Sequence, residues 1–340
     1  MPVHNGEDFL ELSIRSILSQ TLSEFELVIL DDASTDDSWK IMQRYATDDN
    51  RIRLIKNANN LGLVATLNLL IEASCGELIA RQDHDDISAD RRLEKQAAYM
   101  DAHPDIGLLG TAYHEIDMAG NILQTIYQPE TDTEVRWKIL FANPFAHTTV
   151  MFRRSVIINN NLRYSNIYPH SEDYELWIRM LSYTRAANLA EPLASWRRNE
   201  MGISQTHTED QSRNSKLLSV MQLSRLLSHP VSEEDREAYF CMYTERPPRD
   251  EELEKLLDVR QILRTFFRQQ EQAPDPEGLR KNRVTMVNGL LVSLFNGLTL
   301  YGYYRHPGVY RLLLSLLFLD PPRVISFVIR KVFNYIKKKF

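Results

Sequence analysis

Residues 25–38 read FELVILDDASTDDS, and they decide the fold. Phe25 to Leu30 form a short, almost continuously apolar run, the mark of a strand covered on both faces. Asp31 and Asp32 end it abruptly, and Ser34 or Thr35 is placed to cap a helix carrying Trp39, Ile41 and Met42. Upstream, EDFLELSIRSILSQ sets Phe9, Leu10, Ile14, Ile17 and Leu18 on one helical face. Downstream, RIRLI reads as a strand, LVATLNLLIEA as a helix and GELIARQ as a strand again. This alternation predicts an α/β fold, a mostly parallel sheet flanked by helices. IGLLGTAYHEID, the turn AGN and ILQTIYQP then predict an antiparallel hairpin.

The composition suits an ordinary globular chain: 340 residues, 43% hydrophobic and 25% charged. That length predicts one large domain with an appendage. Cys75 and Cys241 lie far apart without metal-ligand spacing, which fits a reduced, cytoplasmic setting better than a disulfide scaffold. The net charge is −6, yet the last twenty residues hold six basic side chains and no acid, leaving −12 on the remainder. An acidic body argues against nucleic acid as a partner; the basic end suggests peripheral contact with anionic lipid on the inner face of the cell membrane. After about residue 205 the pattern turns to amphipathic helix, in HTEDQSRNSKLLSVMQLSRLL and EELEKLLDVRQILRTFFRQQ.

In open α/β sheets, ligands bind beyond the carboxyl ends of the strands. Two acidic clusters fall there: Asp31-Asp32, and Asp83, Asp85 and Asp86 in RQDHDD. Three carboxylates in four residues repel one another unless a cation or a solvated turn relieves them. A third cluster, Glu172-Asp173 in SEDYELW, sits where a helix should start, as a general base or as an ordinary acidic first turn capped by Ser171.

PVHNGEDFLELSIRSILSQTLSEFELVILDDASTDDS, NNLG, GELIARQDHDD and HSEDYELWIRM occur in this order over residues 1–205, and together they resemble the family-two glycosyltransferases of the GT-A fold. The resemblance implies a Rossmann-like GT-A domain at 1–205, followed by a helical region at 206–340. It implies inverting transfer of a hexosyl or related group from a nucleoside diphosphate sugar, UDP-linked by expectation, to a saccharide or lipid-linked saccharide in surface polysaccharide synthesis. Mn²⁺ or Mg²⁺ is the implied cofactor, with Asp85 holding the metal and Asp83 contacting the ribose, the metal or a metal-bound water. Asp86 is expected to be structural, capping a helix that starts near Asp90. Pro2, His4, Asn5, Asp32 and Asn60 match nucleotide-binding positions, with Asp32 accepting from the base and Asp31 holding the loop. Asp173 matches the base, and Glu172 a residue that orients the acceptor. His147 resembles a position on the acceptor side. Arg197 or Arg198 is placed to meet phosphates, and Asn199 stands where many relatives have a histidine.

Two rival readings remain at this level. A sugar nucleotidyltransferase would require an early Gly-rich phosphate loop with a lysine, which the sequence lacks. A degenerate nucleotide- or glycan-binding module would not need both acidic sets. Two expectations concern the ends of the chain. MPVHNGEDF begins where a central strand should be ending, which predicts a further apolar run upstream, and 284–304 is uncharged and long enough to span a bilayer although a polar stripe runs through it.

Overall fold

The structure, a computed structural model, describes residues 1–199, 202, 206–244 and 259–270. The uncharged stretch 284–304, the basic tail and the linker QAPDPEG lie outside the described residues. Among the described residues no helix is long and apolar enough to cross a membrane.

The chain divides into two compact units. The first comprises Met1–Val135 and Asn143–Ser215. It opens with β1 (Pro2–Val3), α1 (Leu10–Leu18), β2 (Leu27–Asp31), α2 (Ser38–Asp48), β3 (Ile52–Lys56), α3 (Leu63–Ala73) and β4 (Leu78–Ala80). Strands β1, β2 and β3 form a parallel sheet in that order. Every residue of β2 is buried, as its unbroken apolar run requires. Leu10, Ile14 and Ile17 of α1 pack with Val3, Leu27, Ile29 and Met42 into one core, so the helical stripe read from sequence is the buried one.

The helix α2 starts later than expected. Ser34 and Thr35 bond to Asn5 instead of capping it. The first turn of α2 is held by carboxylates: Asp36 accepts from the Ser38 N–H and Glu7 from that of Asp37.

The second sheet is mixed. It comprises β4, β5 (Ile87–Ser88), β6 (Ile106–Ile116), β7 (Ile122–Ile126), β8 (Met151–Arg153) and β9 (Arg185–Arg197). The order is β4-β8-β6-β9-β5, with β7 paired to β6 as the expected antiparallel hairpin. Only β6 and β9 run parallel there; the other pairings are antiparallel. Helices α4 (Arg92–Ala102), α5 (Asp132–Lys138), α6 (Arg154–Asn159) and α7 (Glu172–Met180) connect these strands. A cavity of about 540 Å³, lined by Met1, Val28, Leu70, Ile79, Arg81 and Tyr164 among others, lies between residues of β2 and β4. The Met1 ammonium donates to Val28 O at 2.8 Å, and burial together with the Arg81 charge pulls its pKa down to about 5.

The second unit takes in Arg136–Ala142 from within the span expected to be a single domain. Its described helical residues belong to the end of α5, to α8 (Thr208–Leu227), which begins in the first unit, and to α9 (Glu233–Thr244) and α10 (Val259–Gln270). Trp137 meets Phe141 and Phe266 edge-on, both at 5.2 Å between ring centres. The buried Arg236 donates to Phe141 O and to Ser219 Oγ, and Ser219 donates in turn to Leu140 O. Large apolar side chains at 137 and 141 find their partners within this unit, which is why the boundary falls inside α5.

Candidate active site

The first acidic pair closes a loop. Asp31, fully buried, accepts from the Ser34 N–H at 3.1 Å, and the Lys56 ammonium lies 3.3 Å from its other oxygen. Asp32 accepts from Asn57 Nδ2 and Leu61 N on one oxygen and from Gly62 N on the other. A carboxylate offers about four acceptor positions, so a single one remains for a nucleotide base. Asp32 therefore does the loop-holding expected of Asp31, and it also fixes Gly62, whose φ of 82° at the start of α3 suits glycine. Around this loop His4, Asn5 and Asn60 form one rim. The His4 ring bonds to Asp32 O at 2.9 Å through Nδ1, and Asn60 and Asn5 both reach its Nε2, at 3.1 and 3.3 Å. Asn5 is held at φ 49° with Thr35 N–H on its side-chain oxygen. Pro2 lies buried in β1, opposite Leu30, and contributes to this edge through the strand rather than by an exposed ring.

The second cluster follows β4. Oxygens of Asp83, Asp85 and Asp86 lie within 4.8 Å of one another. The three are not equivalent. Asp83 is ion-paired with Arg81, a guanidinium only 6% exposed, and its backbone carbonyl accepts from Ser13 Oγ. Asp86 is 1% exposed and accepts from the Arg197 N–H at 2.8 Å; burial and the neighbouring Asp85 charge push it up to about 7. Asp86 thus anchors β9 and does not cap α4, which starts two residues after Asp90, at Arg92. Asp85 is half-buried, and its carboxylate is met by Asn199 Nδ2 at 3.5 Å. Hard oxygen donors with one half-free member fit a hard divalent cation, held by Asp85 and supported by Asp83.

Arg197 does not present its guanidinium to an open surface. At 2% exposure it donates to Asp85 O, Asp117 O and Met118 O, and it stacks 4.3 Å over Phe9. The expectation of a phosphate contact there is corrected to a tie that holds the Asp85 backbone to the β6–β7 turn. Three carbonyls converge on this side chain, and its planar fork supplies a donor to each. Arg198, beside it, is the exposed member of the pair.

The third cluster opens α7. Ser171 stands at the cap position but makes no capping bond; its hydroxyl turns to Gln211 O. Asp173 is held at both oxygens, by Asn143 Nδ2 at 2.8 Å and by the Tyr174 N–H at 2.6 Å. Burial, then the Glu172 charge, push it up to about 7. Glu172 is raised too, by burial first. The charge of Arg81 reaches Asp85, Asp86 and Asp173, so one buried cation interacts with both acidic clusters.

Sequence reading missed Arg81 and Asn143. Arg81 reads as the last residue of an apolar run and Asn143 as a pre-proline turn; neither carries a local signal. His147 lies in a short 3₁₀ turn. Its Nε2 bonds to Tyr164 OH at 2.9 Å, and burial holds it well below the usual histidine range, so it is a neutral, satisfied ring.

Gly6 is set by this site. A Cβ there would overlap the ring of His84, which lies between Asp83 and Asp85. Gly6→Ala is expected to displace that ring, cost about 1–3 kcal/mol of stability and weaken Mn²⁺ binding. Thermal unfolding with and without Mn²⁺ checks this; an unchanged melting temperature and metal response would refute it.

A parallel sheet with acids at its strand ends, joined to a mixed sheet bearing a second acidic set, defines the GT-A class of glycosyltransferase. The model of the family described as Glycosyl transferase family 2 matches residues 1–159. EpsE of Bacillus subtilis (strain 168), a putative glycosyltransferase, is 37% identical over 200 residues, covering 57% of this chain and 69% of that protein. The O-antigen biosynthesis glycosyltransferase WbnJ of Escherichia coli is 34% identical over 204 residues, 58% of this chain and 77% of its own. The chain belongs to glycosyl transferase family 2. Among solved structures, S. aureus TarS 1–349 in complex with UDP-GlcNAc has a TM-score of 0.54 at 17% identity, covering 94% of this chain and 90% of that one. Mannosyltransferase PcManGT from Pyrobaculum calidifontis, in complex with GDP-Man and Mn²⁺, has a TM-score of 0.51 at 14% identity, covering 88% and 85%. Both share the fold.

Proposed function

We propose that this glycosyltransferase moves a hexosyl group from a UDP-sugar, with inversion, onto a saccharide or lipid-linked saccharide during surface polysaccharide synthesis. The observation that carries the mechanism is the pair of acidic sets, Asp83/Asp85 and Glu172/Asp173, linked by the charge of Arg81. The UDP assignment is supported by the nucleotide sugar named for TarS, and the pathway by the name of WbnJ.

Asp85, with Asp83, would hold Mn²⁺ or Mg²⁺, which supplies positive charge to the departing diphosphate. The rim of His4, Asn5 and Asn60 binds the nucleoside, and the remaining acceptor position of Asp32 takes the imide N–H of the base. Asp173 accepts the proton of the acceptor hydroxyl as its oxygen bonds to the anomeric carbon. The bond from that carbon to the diphosphate breaks, and UDP leaves with the electron pair. Asn143 and the Tyr174 N–H keep the carboxylate of Asp173 in one orientation during this step. A base with its pKa near 7 is half ionised at neutral pH and still strong enough to take a proton. Glu172, beside it, orients the acceptor.

A thermal-shift screen of UDP-, GDP- and TDP-sugars with Mn²⁺, followed by donor hydrolysis, tests this reading. UDP-sugars are expected to give the largest shift, and hydrolysis is expected to require the metal. Stabilisation by GDP- or TDP-sugars alone would overturn the donor assignment; metal-independent turnover would overturn the metal's role.

A further inference from the structure

Away from the acidic clusters, His170, His207 and Asp210 bring three ligand atoms within 4.8 Å of one another, all inside the first unit. His207 and Asp210 are three apart at the start of α8 and so share a face. His170 comes from the segment just before Ser171 and is held at φ 63°, a left-handed conformation uncommon for histidine. Two further bonds sew these segments together: Asn214 Nδ2 donates to Pro169 O at 2.8 Å, and Ser171 Oγ to Gln211 O at 3.4 Å. The two imidazoles stack with centroids 4.0 Å apart and 11° from parallel.

We propose that His170, His207 and Asp210 form a second metal site, for Zn²⁺ or a similar transition-metal ion, separate from the Asp83/Asp85 site. Two imidazoles and one carboxylate match the three-ligand set that leaves a fourth position to water. Nitrogen donors suit a borderline ion, whereas the oxygen-only cluster at Asp85 suits Mg²⁺ or Mn²⁺. Nitrogens bound to one Zn²⁺ at 2.0–2.1 Å lie about 3.3 Å apart, and the ion must lie in the plane of both rings, so binding requires the two imidazoles to rotate out of their near-parallel stack into other side-chain rotamers. Arg213 pairs with one oxygen of Asp210 at 2.6 Å and leaves the other; this is an exposed pair of small worth. The bound ion would clamp the segment carrying Glu172 and Asp173 to α8. The proposal stands apart from the donor and acceptor assignments above.

Equilibrium dialysis with Zn²⁺ alone tests it, using the full chain without a histidine tag and in an Asp85→Ala background that silences the other site. One Zn²⁺ per chain is expected. His170→Asn, His207→Gln and Asp210→Ala should each weaken binding by more than the roughly 10–100-fold that loss of a merely supporting partner costs. All three side chains are at least partly exposed, so metal-free melting temperatures should match the background. Co²⁺ should give the visible absorption of a four-coordinate nitrogen site, lost in His207→Gln. Absence of Zn²⁺ uptake, or uptake undiminished in a His170→Asn/His207→Gln double variant, overturns the site.

Discussion

Asp173→Asn is expected to lower kcat by roughly 10²–10⁴, the range for loss of a general base, with donor KM nearly unchanged. The substitution keeps the size of the side chain but cannot take a proton. It should also raise stability at pH 8. Asp173 has its folded-state pKa raised from 3.8 to about 7, so the fold favours the protonated acid. The corresponding contribution to stability is complete below pH 3.8 and is lost as pH rises through about 7. Above that, the buried carboxylate is destabilising, and the amide removes it. In the parent, kcat/KM should fall on acidification with a midpoint near 7, and this limb should vanish from the residual activity of the variant. Product stereochemistry by NMR completes the test. A retained anomeric configuration, or near-parental turnover in the variant, would sink the mechanism. Glu172→Gln should cost less, as expected of the orienting role proposed for it.

Asp85→Ala should reduce transfer by roughly 10³ or more, since charge neutralisation by a metal contributes several kcal/mol and each 1.36 kcal/mol is tenfold. The same variant should lose the stabilisation that Mn²⁺ gives to donor binding. Its fold should persist, because Asp85 ties to Arg197 through its backbone carbonyl, which alanine retains. Asp86→Ala is expected to behave differently. It removes the buried acceptor of the Arg197 N–H, so its main effect should be a lower melting temperature, with metal affinity altered less. Calorimetric titration with Mn²⁺ alongside thermal unfolding separates the two. Equal metal binding by Asp85→Ala and the parent would return that carboxylate to the status of a solvated turn.

The elements of the first half were legible because their signals are local. The LVIL of FELVIL is buried along β2, and LVATLNLLIEA forms α3 over its full length. The turn AGN places Gly120 at φ 90°, where the hairpin needs it. The starts of helices read less well. Ser34, Thr35 and Ser171 are favourable cap residues, but each found a partner elsewhere, and carboxylates or tertiary contacts took over.

Chain order and residue type were enough to place acids at the ends of strands, an antiparallel hairpin in the middle and a carboxylate pair at the start of a helix. Such features depend on neighbours within a few residues, where periodicity and turn chemistry act. The work of each acid was decided by tertiary structure. Asn143 reaches Asp173 across 30 residues, and Arg197 reaches Asp85 across 112. Arg81 ends an ordinary apolar run, yet folding buries it against Asp83, within electrostatic reach of Asp173. Desolvation and charge proximity exist only once these segments meet, so a raised base, a structural Asp86 and a guanidinium committed to carbonyls have no counterpart in the linear order of residues.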